Sequence, residues 1–112
     1  MKDNRVQVRE VAQIRRLQLA AAESRLGASL QQRKSLEANR DVAVRGQAMA
    51  LESWANYTSG ANLDLTLSLA WSDQIGQSED ELRHIEDEIK RASDEVSRLR
   101  GQWQVCQAQV EA

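Results

Sequence analysis

The sequence predicts an all-α protein that folds as an antiparallel two-helix coiled-coil hairpin. Three observations support this fold class: the 112 residues contain no proline, one long segment repeats apolar residues at heptad spacing, and a turn-like cluster lies near the midpoint. Proline interrupts helices because it lacks a backbone N–H and its ring clashes with the preceding turn. Ala, Leu, Gln, Arg, Glu and Ser dominate instead, as they do in long helices. The composition also argues against an all-β fold.

The first helix is predicted over residues 6–57. Its apolar residues drift around the helix, so we expect local unwinding or a stutter in its seam. With ten basic and six acidic residues, the segment 1–56 carries a net charge of +4. The drifting apolar positions are Val11, Ile14, Leu17, Leu19, Ala22, Leu26, Leu30 and Leu36.

A turn is predicted at residues 58–62, which hold the sequence Thr-Ser-Gly-Ala-Asn. Gly60 can adopt the left-handed conformation that often ends a helix, because it has no Cβ. Ser59 or Asn62 could cap the next helix through a side-chain oxygen. Arms of nearly equal length on either side of this turn describe one hairpin domain covering residues 1–112.

The second helix is predicted over residues 63–112 and carries the clearest pattern in the chain. Alternating steps of four and three residues meet an apolar side chain at eleven of twelve positions, with Ser78 as the exception. This 3.5-residue spacing is that of a coiled-coil seam. The twelve positions are Trp71, Ile75, Ser78, Leu82, Ile85, Ile89, Ala92, Val96, Leu99, Trp103, Cys106 and Val110.

Leucines at 63, 65, 67 and 69 alternate with polar residues, which is the periodicity of a strand. A lone strand would have no partner, so we expect a helix here that leaves extra apolar surface near the hairpin tip.

Charge predicts the pairing of the two arms. Residues 57–112 hold five basic and eleven acidic residues, a net charge of −6 that complements the first helix. If the turn centres on residue 60, the numbers of facing residues add up to about 120, and Trp103 lies opposite Leu17. The expected cross-helix pairs are Arg25 with Glu95, Lys34 with Glu86, Glu37 with Arg83, and Arg40 with Asp80 and Glu81.

Enzymatic chemistry has little support in this sequence, and we expect a protein without catalytic residues, metal or cofactor. His84 is the single histidine, and the carboxylates around it are typical of a solvated coiled-coil face. Cys106 falls on the seam and is expected to act as a small core residue. The net charge of −2 does not favour nucleic-acid binding. The apolar stretches are too short for membrane insertion, and a single cysteine suits the cytoplasm.

Two clusters are candidate partner-binding surfaces. Near the tip, Trp54 and Tyr57 share a helical face and either plug the loop locally or anchor a partner, with Leu65 beside them. At the terminal end, we expect outward-facing arginines beside Ile14, because Glu111 is the only acid in the facing segment 101–112. These arginines are Arg9, Arg15 and Arg16.

The opening segment Val8-Arg9-Glu10-Val11-Ala12-Gln13-Ile14-Arg15-Arg16-Leu17, followed by leucines at 19, 26, 30 and 36, resembles the stalk proteins of bacterial type III export, the FliJ/YscO/SctO family. The resemblance implies a non-enzymatic central stalk that couples a hexameric export ATPase to the export-gate protein and also meets export chaperones. It implies a monomer when free, located in the cytoplasm beside a membrane-bound secretion apparatus. The terminal end would face the ATPase, and the tip would face away from it.

Two other interpretations remain open at this point. One is a scaffold or adaptor whose hairpins dimerise into a four-helix bundle. The other is a small helical chaperone for an exported protein. Oligomeric state separates the first of these from the stalk.

Overall fold

The computed structural model describes residues 4–59 and 64–112. Two helices account for nearly all of them: α1 covers Asn4–Thr58 with 55 residues, and α2 covers Leu65–Glu111 with 47 residues. The prediction of an all-α fold is confirmed. Residues 65–69 are helical, so the helical interpretation of the alternating leucines is confirmed from Leu65 onward, and Leu63 lies outside the described residues.

The two helices pack against each other as an antiparallel hairpin. An early residue of α1 contacts a late residue of α2: Arg15 donates a hydrogen bond to the backbone carbonyl of Gln109 at 3.1 Å. At the other end, the hydroxyl of Tyr57 accepts a hydrogen bond from the backbone N–H of Asp64 at 2.9 Å.

Side chains satisfy the backbone groups at the helix ends near the loop. The Oδ1 atom of Asp64 accepts the N–H of Thr66 at 2.9 Å, which makes Asp64 the N-cap of α2. At the end of α1, the hydroxyl of Thr58 donates to the carbonyl of Trp54 at 3.0 Å. The hydroxyl of Ser59 donates to the carbonyl of Asn56 at 2.9 Å, so Ser59 belongs to the end of α1. Asp64 therefore has the capping role predicted for Ser59 or Asn62, and the predicted turn positions 60–62 lie outside the described residues.

The seam of α2 is confirmed position by position. All twelve residues of the predicted series are half-buried or buried, including Ser78, and Val96 is the most enclosed of them, with 1% of its surface exposed. The 3.5-residue period therefore identified the face of α2 that packs on α1.

The predicted stutter in α1 is wrong. A series of half-buried and buried residues runs from Ala12 to Tyr57 in uninterrupted steps of three and four, and Leu30 and Glu37 are half-buried beside it. The apolar residues alone do not locate this seam, because several of its positions hold Ala, Ser, Gln or Arg. Long polar side chains can occupy such positions since their stems cover apolar surface. The seam residues of α1 are Ala12, Arg15, Leu19, Ala22, Leu26, Ser29, Arg33, Leu36, Arg40, Ala43, Gln47, Ala50, Trp54 and Tyr57.

Contacts divide the hairpin into two compact units. Unit 1 comprises Met1–Arg33 with Arg91–Ala112, and unit 2 comprises Lys34–Lys90. Unit 1 holds the four most enclosed residues of the described chain, namely Ala22, Ser29, Val96 and Leu99. Described residues of unit 2 are at most half-buried, so its packing is looser.

The predicted register is off by about one helical turn. In unit 1, Arg15 faces Gln109 and Glu23 faces Trp103, so the numbers of facing residues add up to 124 and 126 instead of about 120. Trp103 therefore lies near the level of Glu23 and not opposite Leu17. The physical reason is the position of the loop, because α1 ends at residue 58 and α2 begins at residue 65, which centres the connection beyond residue 60.

The expected cross-helix ion pairs are largely replaced by pairs within one helix. Among the described residues, no ion pair joins Arg25 to Glu95 or Lys34 to Glu86. The pairs formed include Arg98 with Glu95, Arg83 with Asp80 at 3.1 Å, and Arg40 with Asp41 at 3.9 Å. Complementary charge on the two arms thus favours the hairpin without fixing its register through these pairs.

Candidate docking grooves

Many large apolar side chains lie outside the seam and are exposed. In unit 1, Ile14, Leu17 and Val105 are 55%, 63% and 58% exposed. In unit 2, Val42 and Met49 are 63% and 68% exposed. Single exposed apolar residues are common on protein surfaces, but several aligned along one helical face indicate a binding surface.

The unit 1 groove runs along the line where α1 and α2 meet. Its large exposed apolar side chains are Ile14, Leu17 and Val105. Arg25 and Arg98 are the charged residues that line it, and both are basic. Its remaining lining residues are Gln18, Ala21, Leu99, Gly101, Gln102, Cys106 and Gln109.

The two arginines of the unit 1 groove differ in their partners. Arg98 donates through Nε to Oε2 of Glu95 at 2.9 Å, and its Nη2 contacts Oε1 of the same carboxylate. The hydrogen bond from Arg98 lowers the pKa of Glu95, and the same bond raises the pKa of Arg98. Arg25 has no hydrogen bond or ion pair to another described residue. It therefore presents an uncompensated positive charge beside apolar surface.

The unit 2 groove has the opposite charge. Its apolar lining includes Leu36, Val42 and Ile85, and its carboxylates are Glu81 and Glu88. Nε2 of His84, also in the groove, lies 2.6 Å from Oε1 of Glu88. Glu81 has no hydrogen bond or ion pair to another described residue. The remaining lining residues are Asn39, Ala43, Gly46, Gln47, Ala50, Gln74, Gln77 and Ser78.

Both grooves use the same heptad positions. Most of their lining residues immediately precede a seam residue in their helix, as Arg25 precedes Leu26 and Glu81 precedes Leu82. Apolar residues at these positions are what make the α1 pattern drift. The sequence predicts a surface role for Ile14 at the terminal end, but it does not predict the two grooves. The sequence feature that could have indicated them is the set of apolar residues that lie outside a regular seam.

The predicted arginine cluster at the terminal end is only partly outward-facing. Arg9 and Arg16 are exposed, as expected. Arg15 instead occupies a seam position, is half-buried and donates to the carbonyl of Gln109. The negative end of the α2 dipole favours a cation there. The expectation that Arg15 faces outward is therefore wrong.

At the tip, the two aromatic residues differ in their polar contacts. Tyr57 is half-buried and bridges to the backbone of Asp64, which is the local role considered for it. Trp54 is also half-buried, and its Nε1–H is enclosed without a hydrogen-bond partner among the described residues. Leu65 is exposed. A partner-anchoring role for Trp54, Tyr57 and Leu65 remains a prediction.

The remaining features of the described residues are the cysteine, the side chains that could bind a metal and the apolar stretches that could cross a membrane. Cys106 is a half-buried free thiol on the seam, as predicted. No three His, Cys, Asp or Glu side chains among the described residues lie close enough to hold a metal ion. Over the same residues, neither helix has an apolar stretch long enough to cross a membrane.

Comparison of the chain with protein-family models, with curated proteins and with solved structures finds no significant match.

Proposed function

We propose that this chain is a non-enzymatic scaffold or adaptor whose hairpins associate into a larger helical bundle. The observation that carries this proposal is the set of apolar side chains that the hairpin seam leaves exposed, led by Ile14, Leu17 and Val105 in unit 1. A hairpin that needed only to fold would place polar residues at these positions, because the second face of an amphipathic helix normally meets water. Covering these residues with further helices removes apolar surface from water.

The structure of unit 1 favours a role of these exposed apolar residues in association over a role in stabilising the hairpin alone. Seam residues such as Val96 and Leu99 already form its core. Ile14 and Val105 lie outside that core, so they contribute little to the hairpin itself. Their surface is available to a second pair of helices, as in a four-helix bundle.

A second candidate role is the central stalk of a bacterial type III export ATPase, linking the ATPase ring to the export-gate protein. This proposal rests on the resemblance of the opening segment and on the terminal end of unit 1. There, exposed Arg9 and Arg16 accompany the exposed apolar residues Val8 and Val11. Such a surface suits contact with an acidic, partly apolar pore. The stalk would bias the conformations of the ring subunits through differential contacts.

Oligomeric state and ATPase binding together distinguish the two roles. Light scattering coupled to gel filtration should give a dimer or larger assembly for a scaffold and a monomer for a stalk. In co-purification with a candidate export ATPase, a stalk should bind and stimulate ATP turnover. The double variant Arg9→Glu with Arg16→Glu should then abolish stimulation, whereas Arg100→Glu, an exposed arginine elsewhere in unit 1, should not. A monomeric chain that binds and stimulates the ATPase would overturn the scaffold proposal.

A further inference from the structure

We infer that the two grooves recognise each other between copies: the unit 1 groove of one copy docks on the unit 2 groove of a second copy, with Arg25 of one facing Glu81 of the other. This inference rests on the proposed scaffold function and identifies the surfaces that would carry it. The occupant of each groove is a second copy of this chain.

Charge is the first argument for a second copy. Arg25 and Arg98 line the unit 1 groove, and no carboxylate among the described residues lines it. Glu81 and Glu88 line the unit 2 groove, where His84 lies against Glu88. Two unit 1 grooves would therefore repel each other, and so would two unit 2 grooves. Unlike grooves attract, and complementary charge selects partner and register more than it adds affinity.

The contacts that the groove charges make within one copy indicate which of them pair between copies. Arg98 forms an ion pair with Glu95, and Glu88 contacts His84. Arg25 and Glu81 are the groove charges left without a hydrogen bond or ion pair among the described residues. Each lies beside apolar surface, where desolvation on docking would leave a lone charge uncompensated. Placing Arg25 against Glu81 of a second copy compensates both.

The spacing of apolar and charged residues agrees with the same docking. In unit 1, Leu17 precedes Arg25 by eight residues, about two helical turns. In unit 2, Glu81 shares the groove with Ala43, which precedes the exposed Met49 by six residues. If the α1 helices of the two copies run antiparallel, Arg25 can meet Glu81 while Leu17 approaches Met49. One docking then pairs Arg25 with Glu81 and covers Leu17 and Met49 together.

The heptad positions allow the two grooves to fit each other. Both are built largely from residues immediately before the seam, so each offers a furrow flanked by one row of side chains from α1 and one from α2. Small residues lie in each, Ala21 and Gly101 in unit 1 and Gly46 in unit 2. Small residues permit close approach of helices, and larger neighbours such as Leu17 and Val42 can fill the spaces between them.

The test is charge reversal followed by exchange, with the full chain and sedimentation equilibrium as the readout. Arg25→Glu alone and Glu81→Arg alone should each weaken self-association by about tenfold or more, because each places like charges against one another. Combining both substitutions in one chain should restore association. An equimolar mixture of the two single variants should also restore it, because the carboxylate introduced at position 25 then meets the guanidinium introduced at position 81 of the other variant. Circular dichroism should show unchanged helicity throughout.

Matched controls reverse the same charges outside the grooves. Arg100 and Glu79 are exposed and do not line either groove, so Arg100→Glu and Glu79→Arg should leave self-association unchanged. If the chain associates but neither groove variant weakens it, the groove pairing is wrong while the scaffold function stands. If the wild-type chain is monomeric at all concentrations, both are wrong. If self-association is weaker in both single variants and is not restored in their mixture, the direct pairing of Arg25 with Glu81 is wrong.

Discussion

At the scale of single residues, Asp64 and Tyr57 close the hairpin next to the loop. The carboxylate of Asp64 caps α2 by accepting the N–H of Thr66, while its backbone N–H donates to the hydroxyl of Tyr57. The side chain and the backbone of Asp64 thus hold different partners. The capping contact can therefore be removed without directly removing the contact to Tyr57.

We expect Asp64→Ala to lower the free energy of unfolding by about 0.5–2 kcal/mol, because an N-terminal N–H of α2 loses its acceptor. Urea denaturation followed by circular dichroism measures the change. Asp64→Asn is the matched control and should retain most of the stability, since its side-chain oxygen can accept the same bond. Equal stability of the alanine variant and the wild type would show that the cap contributes nothing.

At the scale of the helix, burial and not hydrophobicity distinguishes the two faces of α2. Val96 and Val105 are the same residue type in the same helix and the same unit. Val96 lies in the seam with 1% of its surface exposed, whereas Val105 lies in the unit 1 groove and is largely exposed. The seam residue supports the hairpin, and the groove residue belongs to the surface that we propose for a second copy.

We expect Val96→Ala to lower the free energy of unfolding by about 2 kcal/mol, because buried methyl groups are lost and a cavity remains. Val105→Ala should change it by less than about 0.5 kcal/mol when measured under conditions where the chain is monomeric. The same urea titration on both variants provides the comparison. Comparable losses from the two substitutions would contradict the assignment of Val105 to a surface outside the core.

At the scale of the whole molecule, the stability of the hairpin is expected to differ between its units. The four most enclosed residues of the described chain lie in unit 1. Unit 2 relies on half-buried positions, several of which hold polar or small residues such as Gln47, Ser78 and Ala50. Less apolar burial means a smaller free energy of local opening.

We expect backbone amides of α1 and α2 in unit 1 to exchange with deuterium more slowly than those in unit 2, because local opening exposes more enclosed apolar surface there. Hydrogen exchange followed by mass spectrometry measures this under native conditions. Residues 19–29 with 92–103 and residues 40–50 with 75–85 provide comparable stretches away from the helix ends. Uniform protection across both pairs of stretches would show that the hairpin opens as a single cooperative unit.

Only part of the candidate site could be predicted from the sequence. The sequence points to Ile14 as a surface residue, but it places Arg15 on the wrong face. The position of Arg15 becomes clear only from the regular seam of α1, which Ala, Ser, Gln and Arg occupy at many positions. Hydrophobicity does not mark such a seam, so the apolar residues beside it suggest irregular packing instead of a second surface.

The sequence by itself determined the fold class, the approximate extent of both helices and the seam of α2. Absence of proline, helix-favouring composition and a 3.5-residue apolar period act locally along one chain, so they can be read without knowing what packs against it. Only the tertiary structure decided the register, the seam of α1 and the opposite charges of the two grooves. These depend on where α1 ends and α2 begins and on which side chains meet across the hairpin. A shift of a few residues in the loop changes every facing pair while leaving both helical patterns intact.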